Sequence, residues 1–179
     1  MRGAYCVLTL AIPLFAWLGL CYEQTAVAVQ VRAVIPTSGG CAVFLGNMEK
    51  VFVMHVDQSV GAAIAMFLCG AQKKRPLTHD LIAHVLHALG ARIESVIVND
   101  LKRGVYFAKL ILSAENELHQ RETIEIDARP SDCIALATQH RAPIYVSGEL
   151  LEKVEDMAEV LRKIQEEGSE SNESGANEK

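Results

Sequence analysis

Aromatic side chains are scarce in this chain, at 6% of 179 residues. No aromatic series is present on which single-stranded bases would stack. Paired cysteines are missing too. Cys6, Cys21, Cys41, Cys69 and Cys133 are scattered, odd in number and without a C-x-x-C, which fits neither a disulfide framework nor a structural zinc site. They read as small buried apolar residues, and Cys133, inside a nearly all-apolar run, reads as packing rather than as a nucleophile. A basic field is the third absence. The formal net charge is −5, of which the five Glu and one Lys of Glu166–Lys179 supply −4, so the remainder is near neutral. A global electrostatic footprint for nucleic acid is absent, and any phosphate-binding surface must be local.

What is abundant is apolar material. A hydrophobic fraction of 50% gives one domain of ordinary size a real core. Residues 1–25 hold an uncharged run, Ala4 to Tyr22, interrupted by Pro13. Its length approaches a bilayer core at helical rise, so it reads as a signal peptide, a membrane tether or an extension outside the working domain. The first two readings imply an exported or anchored protein, the third a cytoplasmic one. Residues 26–166 form the domain. Residues 167–179, rich in Ser, Glu, Asn and Gly, bury too little apolar surface to order themselves and read as a disordered acidic tail.

Within the domain, Val27–Ile35, Cys41–Leu45 and Val51–Val56 read as strands, followed by a small-residue helix over Asp57–Cys69. The cationic loop Gln72-Lys-Lys-Arg75 precedes a second helix from Thr78 to Leu89, with Gly90 at C′. Leu81, Ile82, Val85, Leu86 and Leu89 are its expected core stripe, and Asp80, His84 and His87 share the opposite, solvated face. Strands are expected again over Ile93–Val98, Val105–Leu112 and Glu122–Ala128. Helices over Ser131–His140 and Ser147–Gln165 follow, separated by extended Pro143–Val146. The order is thus three strands and two helices, twice. His55–Ala65 aligns without a gap on Glu125–Ala135, placing Asp57 on Asp127. The expectation is an α+β fold in which a duplicated three-strand, two-helix unit forms one curved, barrel-like mixed sheet with packed helices.

The junction Ile124–Ala137 concentrates charge. Asp127 ends a strand, Ser131 is the expected N-cap, and Asp132 lies in the first helical turn beside Arg129. In the first copy the positions aligned with Arg129 and Asp132 are Ser59 and Ala62, so packing alone does not require these charges. They serve either function or a local pairing of Arg129 with Asp127.

Arg75-Pro-Leu-Thr-His-Asp-Leu81, Glu125-Ile-Asp-Ala-Arg-Pro-Ser-Asp-Cys-Ile-Ala-Leu-Ala137 and Ala142-Pro-Ile-Tyr-Val146 together resemble the bifunctional nuclease domain family, over roughly residues 27–153. The resemblance implies a compact α+β domain that cleaves both DNA and RNA. The segment Gly39–Val56 departs from it, lacking the charge expected of the second and third strands. Chemistry then selects the site. Asp127 and Asp132 are the candidate ligands for Mg²⁺ or Mn²⁺ and the lead catalytic pair, because hard oxygen donors suit those ions. His79 or Asp80 would act as base or further ligand, and Arg75 and Arg129 would hold phosphate in a forked geometry. The alternative is a non-catalytic binding or regulatory module in which Arg75, Asp80, Asp127, Arg129 and Asp132 form a buried ion-pair network. Self-association is open under either reading.

Overall fold

The computed structural model describes residues 25–115 and 120–174. The apolar segment 1–25 lies outside the described residues except for Thr25. Seven strands form one mixed sheet: β1 (Ala26–Thr37), β2 (Gly40–Gly46), β3 (Val51–Val56), β4 (Ala91–Lys102), β5 (Val105–Glu115), β6 (Arg121–Ala128) and β7 (Ile144–Ser147). Their order is β3-β2-β1-β7-β4-β5-β6. Two antiparallel meanders therefore run outward from β7, which pairs antiparallel with β1 and parallel with β4. The described residues also form five helices: α1 (Gln58–Cys69), α2 (Thr78–Ala88), α3 (Pro130–His140), α4 (Gly148–Lys153) and α5 (Ala158–Ser174).

The expected barrel-like closure is not formed. β3 and β6 are the free edges, and no ladder joins them. Register shifts at Val31/Ala33, Ile93/Ser95 and Val98/Asp100 place bulges in β1 and β4, the two strands flanking β7, and bulges bend a sheet. The two outer meanders meet through side chains instead. Tyr106, at the tip of the β4–β5 hairpin, lies 6.2 Å from the ring of Phe52 on β3, and its hydroxyl donates to the Val53 carbonyl at 3.5 Å.

α1 and α3 lie together against the concave side. Ile64, Cys133, Ile134, Ala135 and Ala137 are fully buried in one core with Val43, Leu45, Val96, Val98 and Val146. Small residues permit this approach. A Cβ at Gly61 would overlap the Cβ and Sγ of Cys41, so α1 and β2 pack at a distance only glycine allows. β2 is buried along its whole length. Its outer face, Ala42 and Phe44, is covered by Met157, Ala158 and Leu161 around the start of α5. The absent charge in Gly39–Val56 follows from that cover, since a strand buried on both faces has no solvated positions to charge.

Four expectations are corrected. The helix foreseen over Ser147–Gln165 is two helices. The chain turns extended at Val154, and Asp156 accepts from the backbone of Val51 and Ala158, both at 3.1 Å. α5 then runs to Ser174, past Gly168, with Arg162 paired to Glu159 and Glu166 one turn away on either side. On the edge strand β6, where alternating Ile124 and Ile126 would mark a half-buried face, both stay more than a third exposed among the described residues. Cys69 is exposed, whereas Cys41 and Cys133 are buried as expected. The largest difference is in α2. His79, Asp80 and Ala83 form its buried side, while Leu81, Ile82, Val85 and Leu89 face solvent.

The Gly61–Cys41 approach makes a prediction. Gly61→Ala gains helix propensity of about 1 kcal/mol but overpacks a closed contact at a cost of about 1–3 kcal/mol. The variant should therefore melt below the wild type, and Cys41→Ala in the same chain should recover part of the loss by removing the sulfur. Thermal unfolding followed by circular dichroism reads both.

Candidate functional site

Two strand-to-helix junctions open at the same place. β3 runs into α1 through Asp57, and β6 runs into α3 through Arg129, each the residue flanking its helix N-terminus. Both keep an extended ψ while their carbonyls accept the first helical bonds, Gly61 N–H to Asp57 at 2.9 Å and Cys133 N–H to Arg129 at 3.1 Å. Pro130 fills the first helical position of α3, where its missing N–H costs nothing and its ring presets φ. The helix thus begins one residue before Ser131, the expected cap.

With the junctions set this way, Asp57 and Arg129 occupy equivalent places at their helices, two residues out of step with the ungapped alignment that put Asp57 on Asp127. They also touch. Arg129 Nη1 lies 3.4 Å from Asp57 Oδ2, while its Nε and Nη2 donate to Asp132 Oδ2 at 2.8 Å and Oδ1 at 3.3 Å. The guanidinium is held above its ordinary pKa first by the Asp132 hydrogen bonds and charge, then by the charge of Asp57. It nevertheless remains 64% exposed, and Asp57 71%. Pairs this open contribute little stability and exchange readily with solvent or an anion. The partner expected for Arg129, Asp127, is not the one it takes.

A cleft of about 410 Å³ lies between the two junctions, lined by Met54, His55, Val56 and Asp57 on one side and by Arg129, Pro130 and Ser131 on the other. Tyr106 and the β4–β5 turn close one end. Behind Asp132 stands His79, whose Nε2 is 3.7 Å from Asp132 Oδ1 and whose ring packs edge-on against Phe67 at 6.1 Å. α2 therefore brings His79 to the start of α3.

Asp80, the next residue, is used differently. Its carboxylate accepts from Leu77 N–H at 2.6 Å, from Lys73 Nζ at 2.5 Å and from Gln139 Nε2 at 2.5 Å. Burial alone would raise its pKa, but the Lys73 hydrogen bond and charge, with Leu77 and Gln139, outweigh that and hold it below the usual carboxylate range. Lys73 also sits 4.4 Å above the Phe67 ring. Asp80 thus ties the cationic loop, α2 and α3 into one piece, and its oxygens are spent on that role. Arg75 and Asp127 are exposed, and neither side chain has an ion-pair partner among the described residues.

The single buried network of Arg75, Asp80, Asp127, Arg129 and Asp132 is therefore not formed. There is one buried cluster around Asp80 and a separate exposed one around Arg129. Burial pushes the Cys133 thiol up to about 12, reinforced by the charges of Asp132 and Asp127, so it stays a packing residue. Among the described residues no three His, Cys, Asp or Glu side chains gather as a metal cluster. Asp127 and Asp132 are nevertheless the right kind of donor for a hard ion that takes one or two carboxylates and completes its shell with water and phosphate. Sequence reasoning missed His55 and Asp57 as site residues. The only signal was the ungapped alignment that set this stretch against the charged junction.

The fold and this site together define an α+β domain with an arginine-bridged polar cleft at paired helix N-termini. The chain belongs to the bifunctional nuclease domain family, whose model matches residues 43–159. Two proteins from two strains of Mycobacterium tuberculosis, both named only as uncharacterized, are 37% identical over 105 residues, 59% of this chain and 59% of theirs. The chain thus spans about three fifths of the length of the curated relatives it matches. The family suggests a nuclease-like or nucleic-acid-binding function. No described helix is long and apolar enough to cross a membrane.

Asp80 supplies a pH test. A carboxylate whose folded pKa lies below its unfolded value of about 3.9 stabilises fully above that value and loses the contribution as pH falls through the folded pKa. Asp80→Asn should cost about 2 kcal/mol near neutrality through the lost charge-assisted bonds. The gap from wild type should be constant above about pH 5 and narrow below about pH 4, as denaturant melts at each pH would read.

Proposed function

We propose that this domain hydrolyses phosphodiester bonds of DNA and RNA at the cleft between the β3–α1 and β6–α3 junctions. One observation carries the reading: an exposed guanidinium, Arg129, held between Asp57 and Asp132 at the mouth of that cleft. Moving from the open Asp57 and the half-buried Asp132 onto a phosphate exchanges one charged partner for another, and the forked N–H groups suit that ligand. The positive end of the α3 dipole favours an anion at the same spot, although Pro130 has no N–H and those of Asp132 and Cys133 are spent on the Arg129 carbonyl. Arg75 is a second phosphate contact, with Lys74 beside it along the nucleic acid backbone.

Asp132 is the lead catalytic residue. Once Arg129 engages phosphate, the Asp132 carboxylate takes a proton from the attacking water as its oxygen bonds to phosphorus, and His79 behind it passes that proton to the sugar oxygen that leaves as the other P–O bond breaks. Asp127 is the second carboxylate. Mg²⁺ or Mn²⁺ would be held by Asp127 and Asp132, and when bound would supply a more acidic water and neutralise phosphate charge. The second reading is a nucleic-acid-binding module without cleavage. It is favoured by the Arg129 hydrogen bonds that engage both oxygens of Asp132.

The test uses the full chain on single- and double-stranded DNA and RNA, with Mg²⁺, Mn²⁺ or EDTA. Asp132→Asn should lower cleavage at least about 100-fold, and Arg129→Ala should weaken substrate binding, both melting close to wild type because their pairs are exposed. Asp127→Asn should matter most if metal takes part, and EDTA should then abolish activity. Wild-type rates in folded Asp132→Asn would place the chemistry elsewhere. Binding with no cleavage under any metal would select the binding-module reading. Activity must co-migrate with the protein and respond to the substitutions.

A further inference from the structure

α2 turns its apolar stripe away from its own core. Leu81 is 59% exposed, Ile82 38%, Val85 48% and Leu89 72%, and their spacing of one, four and eight residues from Leu81 puts all four on one helical face. The orientation is fixed from behind. Asp80 is bound to Lys73 and Gln139, His79 stands against Phe67 and Asp132, and Ala83 is buried. Rotating α2 to bury the leucines would bring Asp80 to the surface and break three hydrogen bonds. The apolar face is therefore a built surface and not a poorly seated helix.

We propose that this face is the contact between two copies of the chain, packed α2 against α2 about a two-fold axis. Area and charge select that occupant. Four side chains of this exposure offer on the order of 400 Å² per copy. Two copies would remove on the order of 800 Å² through these residues, the size of a weak, reversible contact. From Leu81 to Gly90 there is no Asp, Glu, Lys or Arg, and only His84 and His87 are polar. A two-fold contact sets the same patch against itself, and a face without like charges meets its copy with no repulsion to overcome. A partner chosen by charge finds no handle on it. His84 flanks the face beside Leu81, whereas His87 lies on the far side of the helix, toward Gln139 and His140.

The contact does not depend on the nuclease reading. Sedimentation equilibrium of the full chain over a range of concentrations should show a reversible dimer. Val85→Asp and Leu89→Lys should each weaken it about tenfold or more while keeping the wild-type circular dichroism, because both positions are exposed in the single copy. The melting midpoint should rise with concentration in the wild type and not in the variants. A wild type that sediments as a monomer throughout overturns the proposal, as does association that both variants leave unchanged, which would place it on another surface. Loss of secondary structure in both variants overturns it too, because the face would then be packed within the chain itself.

Discussion

Everything in this domain follows from how closely α1 and α3 are allowed to approach the sheet. Gly61 sits where a Cβ would overlap Cys41, and the buried face of α3 from Cys133 to Ala137 is built mostly of small residues at full burial. Helices seated this deep force the sheet to bend around them, and the bulges in β1 and β4 supply the bend. Bending brings the β3–α1 and β6–α3 junctions to one place. The cleft is thus a by-product of core packing, and its chemistry comes from what the two junctions carry.

What they carry is a trade between stability and availability. Arg129 satisfies Asp57 and Asp132, but at an exposure where ion pairs are nearly neutral in energy. Asp80 shows the opposite choice a few residues along α2 from the cleft. Buried, with three donors on its carboxylate, it holds the loop, α2 and α3 in register. That rigid cluster fixes His79 behind Asp132, so the exposed pair can change partners without the frame moving. Structural and exchangeable charges are separated by burial, not by residue type.

This separation explains what the sequence could and could not disclose. Strand alternation located six strands, and Gly90 and the small-residue runs located three helices, because those signals are local. The edge of β6 was misjudged because alternation says which residues share a face, not whether anything covers it. In the junction, the ungapped alignment set Asp57 on Asp127, since three identities outweigh a two-residue slip when only letters are compared. Element boundaries set Asp57 opposite Arg129 instead. Whether a charge is buried like Asp80 or open like Asp132 depends on Lys73 and Gln139, which no spacing rule links to position 80.

The inversion of α2 is the most informative failure. A stripe of leucine and valine is ordinarily assigned to the core, and a polar face with two histidines to solvent. That rule assumes the helix has one neighbour. Here α2 has a polar anchor on its own chain, in which Asp80 and His79 are buried, and an apolar face that the described residues leave exposed. Each half of the pattern is satisfied once a second copy is the apolar neighbour. The same helix would then fix His79 at the cleft with one side and join two domains with the other, so that the position of the site and the state of assembly share a single element.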